Sequence, residues 1–221
     1  MTIEDRHWWY IGRRKLIERY LKPGKILEVG CGGGGNIRYF KDRGVKIQGI
    51  DPIKIEGLGD MVVGRAEKLP FEQNKFDTIL MLDVLEHIED DLQALKECYR
   101  VIKPGGRLIL AVPIYSWMWS RWDKVMEHTR RYEVDRLTKL IKRVGFIQND
   151  IFCYYSFALV PVYIFRKIKQ VFQGNSYKSD FVELNFGNKI LMKLADLERW
   201  FIKIGLRLPF GLSVMMILIK K

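Results

Sequence analysis

Short apolar segments alternate with amphipathic ones through the first 150 residues of the chain. Phe76–Leu82 is a nearly continuous apolar run, which is typical of a strand buried on both faces. Asp90–Ile102 carries apolar residues at three- and four-residue spacing and is predicted to form an amphipathic helix. The same criteria predict further strands and helices: strands at Lys25–Val29, Val45–Ile50, Met61–Val63, Arg107–Val112, Phe146–Tyr155 and Leu212–Ile219, and helices at Asn36–Arg43 and Val134–Val144.

This order of elements predicts an α/β fold. Alternating strands and helices form βαβ units, so we expect a Rossmann-like, mostly parallel sheet with helices on both faces and ligands at the carboxyl ends of its strands. The alternation stops at Phe157–Phe172 and Asn185–Ile204, two helical stretches where a hairpin would need only a few residues. The predicted organisation is an N-terminal helical lid (1–24), an α/β core (25–155), a helical insertion (156–211) and a final core strand (212–221).

Composition excludes several other classes of protein. Apolar residues make up 48% of the chain and charged residues 29%, which is ordinary for a globular protein and wrong for a disordered one. The three cysteines, Cys31, Cys98 and Cys153, form no CxxC pair, which argues against a zinc ribbon or a disulfide framework. Met1–Tyr10 lacks the apolar core of a signal peptide, so we expect a cytoplasmic protein.

Positive charge is concentrated toward the end of the chain. The formal net charge is +12, and residues 151–221 carry 11 Lys and Arg against 4 Asp and Glu. This asymmetry predicts an acidic partner, which would be anionic lipid, nucleic acid or a phosphorylated substrate, unless the surface is merely basic. Within the insertion, the apolar Phe157–Phe165 followed by Arg166, Lys167 and Lys169 fits either a buried substrate cap or a helix on a membrane surface.

A glycine cluster follows the first predicted strand. Gly30, Gly32 and Gly35 satisfy GxGxxG, a weak signal shared by several nucleotide sites. Glu28 narrows the choice, because a carboxylate beside this loop repels a pyrophosphate and attracts a sulfonium or an ammonium. S-adenosylmethionine carries both cations, and Asp51 at the end of the second strand would accept hydrogen bonds from its ribose hydroxyls.

Five motifs in order resemble class I S-adenosylmethionine-dependent methyltransferases. Glu28–Gly34 is similar to their E/D-x-G-x-G-x-G loop. The others, in order, are Asp51, Ala66–Phe71, Phe76-Asp77 with Asp83–His87, and Lys103–Gly106. The resemblance covers roughly residues 8–150 and is greatest to small-molecule methyltransferases of the ubiquinone-pathway type. It implies an enzyme of that class with seven strands, the last of them antiparallel.

The resemblance also implies which residues bind the cofactor. By position, Glu28, Gly30, Gly32 and Gly34 would line its methionine end, and Asp51 would bind the ribose. Ala66 would contact the adenine edge, and Asp83 would lie beside the cofactor. Arg65 departs from the family pattern, in which an Asp commonly accepts from the adenine amine. Arginine has no acceptor, so we expect only the backbone contact of Ala66 to remain.

Two histidines follow the fourth and fifth strands, at the edge where the methyl group should point. The candidates for a general base are His87, His128 and His7, and in the first interpretation His128 is the base and Glu86-His87 a structural turn. Alternatively, Asp83, Glu86, His87 and His128 would bind Mg²⁺, Mn²⁺ or Zn²⁺, as in the metal sites of ubiquinone-pathway O-methyltransferases and small-RNA methyltransferases that they resemble. Relatives that bind no metal also carry Glu-His here, so a purely structural role stays open.

The remaining candidates concern the acceptor and the lid. Trp117, Trp119 and Trp122 would line an aromatic acceptor pocket or simply anchor their loop. Arg130 and Arg131 would clamp an anionic group of the acceptor, unless they are solvated. Three aromatic residues, Trp8-Trp9-Tyr10, precede a helical segment at Arg13–Leu21 that we expect to lie across the cofactor.

The leading hypothesis is therefore a methyltransferase that acts on an O, N or C atom of a small-molecule or lipid-linked acceptor. We expect the insertion to cap the substrate, with peripheral contact to an anionic membrane as its alternative. The rival hypotheses are a nucleic-acid methyltransferase with a divalent-metal site and a methyltransferase-like protein that binds the cofactor without turnover. Dispersed basic residues argue against the first rival, and the intact Glu28 and Asp51 support cofactor binding.

Overall fold

The computed structural model describes residues 3–172 and 185–221, and the helices and strands below are those of the described residues. The strands are β1 (Ile26–Val29), β2 (Ile47–Asp51), β3 (Met61–Val63), β4 (Phe76–Leu82), β5 (Ile102–Pro113), β6 (Ile147–Tyr154) and β7 (Ser213–Ile219). The α-helices are α1 (Trp8–Ile17), α2 (Gly35–Lys41), α3 (Asp91–Val101), α4 (Arg121–Val125), α5 (Val134–Val144), α6 (Ser156–Phe172) and α7 (Asn185–Lys203).

The strands form one sheet in the order β3-β2-β1-β4-β5-β7-β6. β3, β2, β1, β4 and β5 run parallel to one another, and β7 is antiparallel to both β5 and β6. The parallel strands end at Val29, Asp51 and Leu82, which gathers the loops after β1, β2 and β4 at one edge of the sheet. The predicted seven-stranded α/β fold with an antiparallel last strand is confirmed.

Apolar layers cover both faces of this sheet. α3 and α5 pack on each other over one face, above residues such as Ile79 and Leu110 that are fully buried. α1 and α7 pack on each other over the opposite face, which includes Leu80 and Ile109. Because β4 is buried on both faces, its sequence does not alternate between apolar and polar residues.

Two elements, β5 and α1, begin well before their predicted starts. β5 begins at Ile102, which pairs with Phe76. Lys103–Gly106 was predicted to form a turn between helix and strand, but it lies within the irregular first part of β5. α1 begins at Trp8 and not at Arg13, because the helix buries two arginines whose charge disguised its inward face. No helix among residues 3–172 and 185–221 is long and apolar enough to cross a membrane.

Candidate functional site

The glycine loop after β1 depends on backbone conformations that other residues rarely adopt. Gly30 has φ +70°, and a Cβ at this position would collide with the side chain of Val84 at the end of the neighbouring β4. Gly34 has φ +73° and forms the N-cap of α2. These two glycines let the loop turn sharply and approach the loop after β4 closely.

Glu28 is buried beneath this loop, within a short chain of polar side chains. Its Oε1 accepts a hydrogen bond of 2.5 Å from Asn36 Nδ2, and Asn36 Oδ1 accepts one of 2.8 Å from Arg14 Nε. Burial raises the pKa of Glu28 to about 7, although the hydrogen bond from Asn36 acts in the opposite direction. Among the described residues, its Oε2 is buried without a hydrogen-bond partner. This oxygen is suited to receive a donor from a ligand.

Asp51 ends β2 beside the same loop. Its Oδ2 accepts from the backbone N–H of Gly32 at 3.0 Å, and its Oδ1 accepts from Ile53 N at 3.0 Å. These two bonds fix the orientation of a partly exposed carboxylate next to the glycine loop. The structure therefore brings together Glu28, Gly32 and Asp51, as the sequence predicted.

The N-terminal segment lies against this loop and against the end of β4. Glu4 accepts hydrogen bonds from Gly33 N at 3.0 Å and Gly35 N at 2.7 Å. In α1, Arg13 forms a short ion pair with Asp83, and Trp9 Nε1 donates to the same Oδ2 at 3.2 Å. This placement fits a lid over the cofactor, which stays a prediction.

Sequence reasoning missed the four polar residues Glu4, Arg13, Arg14 and Asn36. The signal for the arginines was present, since they occupy apolar positions of an otherwise amphipathic helix. Both are almost fully buried, and a buried arginine requires a partner.

The adenine-edge positions lie on a turn after β3. Ala66 is buried, whereas the Arg65 side chain is largely exposed and its Nη2 donates to Glu67 at 2.9 Å. The guanidinium group is thus held by a neighbouring carboxylate on the surface.

Backbone hydrogen bonds hold the two histidine-bearing segments together. Glu86 and His87 lie in a single 3₁₀ turn, Leu85–His87, directly after β4. The Glu86 carbonyl accepts from Thr129 N and Thr129 Oγ1, each at 2.8 Å. As a result, the His87 and His128 rings lie edge to face with centroids 4.7 Å apart.

Asp123 orients His128 from behind, and sequence reasoning did not identify it. The carboxylate lies 3.0 Å from His128 Nδ1, is fully buried, and accepts from Arg131 Nε at 2.7 Å. Burial acts to raise the pKa of Asp123, but the bond from His128 and the charge of Arg131 hold it well below its usual range. The only signal in the sequence was the Ser120-x-x-Asp123 capping box that begins α4.

Glu86 is the most unusual group of the site. It is fully buried, and neither carboxylate oxygen meets a donor from another residue in the described part of the chain. Its Oε1 lies 3.9 Å from His128 Nε2. Burial and then the charge of Asp83 raise the pKa of Glu86 well above its ordinary value.

Three of the four predicted metal ligands converge. One ligand atom from each of Glu86, His87 and His128 lies within 4.8 Å of the others. Desolvation by the surrounding protein atoms, and then the neighbouring His128, lower the pKa of His87, which favours the neutral form that a metal ligand requires. Asp83 is not part of this group, and its Oδ2 is engaged by Arg13 and Trp9.

The aromatic loop and the arginines serve partly structural roles. Trp122 is buried and anchors the loop, while Trp117 is exposed and stacks on Tyr115 with centroids 5.3 Å apart. Arg130 donates to Asp91 at 2.8 Å, and Arg131 is held by the buried Asp123. Both guanidinium groups are thus bound by carboxylates of the protein itself, whereas the sequence suggested that they bind an anionic group of the acceptor.

Strained backbone is concentrated at this edge of the sheet. Asp83, Tyr115 and Tyr155 follow β4, β5 and β6 and have φ of 56°, 68° and 59°, and Glu127, next to His128, has φ 57°. Residues with side chains adopt this region at a cost, and such positions are enriched at functional sites. The strain supports the same location for the site as the buried polar groups do.

Comparison with known proteins agrees with this geometry. Residues 27–110 match a family model described as a methyltransferase domain. Over 103 residues the chain is 31% identical to the ubiquinone biosynthesis O-methyltransferase of Pseudomonas aeruginosa strain LESB58, an alignment covering 39% of this chain and 43% of that protein. The chain thus spans less than half the length of the curated relatives it matches. Over these residues the chain is similar to methyltransferases, and the predicted resemblance to S-adenosylmethionine-dependent methyltransferases is confirmed.

Solved structures extend the likeness in fold to nearly the whole chain. A methyltransferase of Thermotoga maritima, described as a possible histamine N-methyltransferase, aligns with a TM-score of 0.63 at 19% identity, covering 97% of this chain and 90% of that one. Phosphoethanolamine N-methyltransferase 2 of Haemonchus contortus, solved with phosphomonomethylethanolamine and S-adenosylhomocysteine, aligns at 0.58 and 17% identity, covering 96% and 53%. At these identities the likeness establishes the fold alone.

Proposed function

We propose that this protein transfers the methyl group of S-adenosylmethionine to an oxygen of a small-molecule or lipid-linked acceptor. The observation that carries the proposal is the acidic surrounding of the glycine loop. Glu28 presents an oxygen that has no hydrogen-bond partner among the described residues, and Asp51 is fixed beside Gly32. Carboxylates at these two places suit a ligand with an ammonium, a sulfonium and a ribose, and disfavour a pyrophosphate. Bound S-adenosylmethionine would supply the methyl electrophile.

We propose His128 as the general base. A carboxylate only accepts hydrogen bonds, so His128 Nδ1 donates to Asp123 and leaves a lone pair on Nε2. As the acceptor oxygen bonds to the methyl carbon and the bond from carbon to sulfur breaks, the hydroxyl proton would pass to Nε2. The ionised Asp123 stabilises the imidazolium that results. The name of the Pseudomonas relatives, an O-methyltransferase, supports oxygen as the atom methylated.

The same cluster also fits a divalent cation. Glu86, His87 and His128 would hold it, and Asp123 would orient the His128 ring from the outer side. The buried oxygens of Glu86, which meet no donor from another described residue, support this second candidate. Bound Mg²⁺, Mn²⁺ or Zn²⁺ would lower the pKa of an acceptor hydroxyl.

Calorimetry with S-adenosylmethionine, paired with transfer of a labelled methyl group to a panel of catechols and other phenols, tests the proposed function. We expect binding, and Asp51→Ala should weaken it at least about tenfold because hydrogen bonds to a charged group are lost. Glu72→Ala, at an exposed carboxylate on a surface turn, is the matched control. Binding of NAD without binding of S-adenosylmethionine would contradict the assignment.

Excess chelator then separates the two ways of activating the acceptor. Unchanged turnover supports His128 acting alone and contradicts the metal. Loss of turnover that added Mn²⁺ or Zn²⁺ restores supports the metal.

A further inference from the structure

Helix α6 presents a stripe of apolar side chains to solvent. Val160, Ile164 and Ile168 recur at four-residue spacing and are 62%, 50% and 52% exposed. Phe165 extends the stripe, and among residues 156–169 the fully buried side chains lie in the first turn of the helix, at Ser156, Ala158 and Leu159. The sequence was compatible with a buried cap, the preferred interpretation, or with an outward apolar face. In the structure Val162 and Tyr163 pack against the core, whereas Val160, Ile164 and Phe165 are exposed. The outward stripe is therefore available for another surface.

Helix α7 repeats this arrangement. Its buried face, with Ala195 and Ile202, packs on the core, where α1 is its main neighbour. The large apolar side chains that it and the following loop expose are Ile190, Leu194, Leu197, Trp200, Ile204, Leu206, Leu208 and Phe210. A helix with one apolar face against its own protein and a second one in water has an unsatisfied surface.

The charges of the same two helices are one-sided. Residues 156–172 and 185–211 contain eight Lys and Arg but only two acidic residues, Asp196 and Glu198. Asp196 accepts from Lys15 at 3.1 Å, and Glu198 accepts from Tyr155 N at 2.6 Å. Both carboxylates are thus engaged with the rest of the protein, whereas Lys167, Lys193 and Lys203 are exposed. Cations beside apolar side chains match the headgroups and acyl chains of an anionic bilayer.

We propose that the exposed faces of α6 and α7, with the loop that follows α7, dock on the surface of an anionic lipid membrane. An apolar partner without negative charge would leave the lysines unpaired. A second copy of this chain would bring two basic faces together, and that repulsion disfavours a symmetric dimer through this surface. The proposal does not depend on the proposed function.

Docking would be connected to the candidate site through α1. The inner face of α7 meets α1 closely: Asn188 Oδ1 accepts from Trp8 N at 2.8 Å, and Lys15 pairs with Asp196. α1 in turn carries Arg13 and Trp9, which hold Asp83. A membrane bound to α7 would therefore lie on the face of the sheet that α1 also covers.

Co-flotation of the full chain with vesicles, without S-adenosylmethionine, tests the proposal. We expect co-flotation with phosphatidylglycerol-containing vesicles and little with pure phosphatidylcholine, and release at high salt. Ile164→Glu with Leu197→Glu should abolish it, and Lys167→Glu with Lys193→Glu should weaken it about tenfold or more. Ile147→Glu, at an exposed position on β6, and Lys139→Glu with Lys142→Glu on α5 are the matched controls and should float as the wild type does.

Each other outcome overturns the proposal. No flotation with anionic vesicles, or undiminished flotation of both insertion variants, contradicts a membrane as the occupant. Sedimentation that shows a dimer dissociated by Ile164→Glu with Leu197→Glu would assign the surface to a second copy instead. Circular dichroism melts of all variants establish that the exposed substitutions leave the fold intact.

Discussion

The carboxyl edge of the sheet and the helical insertion distribute charge and apolar surface in opposite ways. At the edge, charged groups are buried: Glu28, Glu86, Asp123 and Arg13 are each less than 5% exposed. In the insertion, apolar groups are exposed. Among the residues that the structure describes, twelve of the seventeen large apolar side chains that are exposed lie within 156–211.

This difference indicates two kinds of function. Burying ionisable groups is costly unless they are paired, so an edge that does so is organised for a bound ligand and for chemistry. Exposing apolar side chains on regular helices is costly in water and is favourable once another apolar phase covers them. The N-terminal segment connects the two regions, because α1 packs on α7 and Glu4, just before α1, accepts hydrogen bonds from Gly33 N and Gly35 N of the glycine loop.

The largest effect is expected from His128→Asn. Loss of the base, or of a metal ligand, should lower kcat about 10²–10⁴-fold, while the affinity for S-adenosylmethionine stays within about twofold. Steady-state kinetics with an identified acceptor, together with calorimetry, measure the two quantities. Glu127→Gln, at the exposed neighbouring residue, is the control, and a kcat of His128→Asn close to wild type would remove this residue from the mechanism.

The ion pairs of the two regions should contribute very differently to stability. Arg13→Leu leaves Asp83 without its buried partner and should lower the free energy of unfolding by about 3–5 kcal/mol. Arg199→Leu breaks an exposed pair with Asp196 and should cost less than about 1 kcal/mol. Urea denaturation measures the free energy of unfolding of both variants. Equal losses would contradict the difference between the carboxyl edge of the sheet and the insertion.

Affinity for S-adenosylmethionine should depend on pH through Glu28. Its pKa is about 7 in the protein without ligand, and a cationic ligand favours the ionised carboxylate. Affinity should therefore fall as pH decreases below 7, by up to about tenfold per pH unit, and level off above it. Calorimetry over a range of about pH 5.5 to 8.5 measures this dependence of affinity on pH. Glu28→Gln should bind S-adenosylmethionine weakly, with an affinity that hardly changes over this range.

The stability of the protein without ligand should follow the opposite trend. Because the folded pKa of Glu28 is raised above 4.5, its contribution is complete below pH 4.5 and is lost as pH rises through 7. Glu28→Gln should therefore gain stability relative to the wild type as pH rises through 7. If the difference in free energy of unfolding between the two proteins stayed constant from pH 4.5 to about 7, the raised pKa of Glu28 would be contradicted.

An atom added at the contact between α1 and α7 should destabilise the protein. A Cβ at Gly12 would lie 2.7 Å from Tyr155 Oη and 3.2 Å from Ala195 Cβ. Gly12→Ala should thus cost about 1–3 kcal/mol by overpacking. Gly59→Ala, where a Cβ meets open space, is the control and should be neutral or slightly stabilising. Thermal melts compare them, and equal melting temperatures would mean that this contact is loose.

The smallest effect is expected on the outer face of α7. Leu197→Gln should change the free energy of unfolding by less than about 0.5 kcal/mol, because the side chain is already half exposed. Ile202→Gln, on the buried face of the same helix, should cost several times more. Urea denaturation of the two variants measures whether the inner and outer faces of the insertion are assigned correctly.

The sequence alone determined the features that depend on local periodicity and on short motifs. The order of strands and helices follows from hydrophobic spacing, and the boundaries of Met61–Val63, Phe76–Leu82 and Val134–Val144 agree with the structure. The glycine loop and Asp51 were identified because strand ends in a parallel sheet meet at one edge. Local signals of this kind require no knowledge of distant contacts.

Tertiary structure alone decided which distant residues pair. Arg13 with Asp83 spans 70 positions, and neither side chain marks its partner in the sequence. Asp123 behind His128 was hidden by a capping box, and the burial of Glu86 depends on the packing around it. The insertion is a further example, because the sequence of an apolar helix is equally compatible with a buried cap and with an exposed face. Only packing shows that Ile164 points outward, because burial is a property of the surroundings and not of the residue.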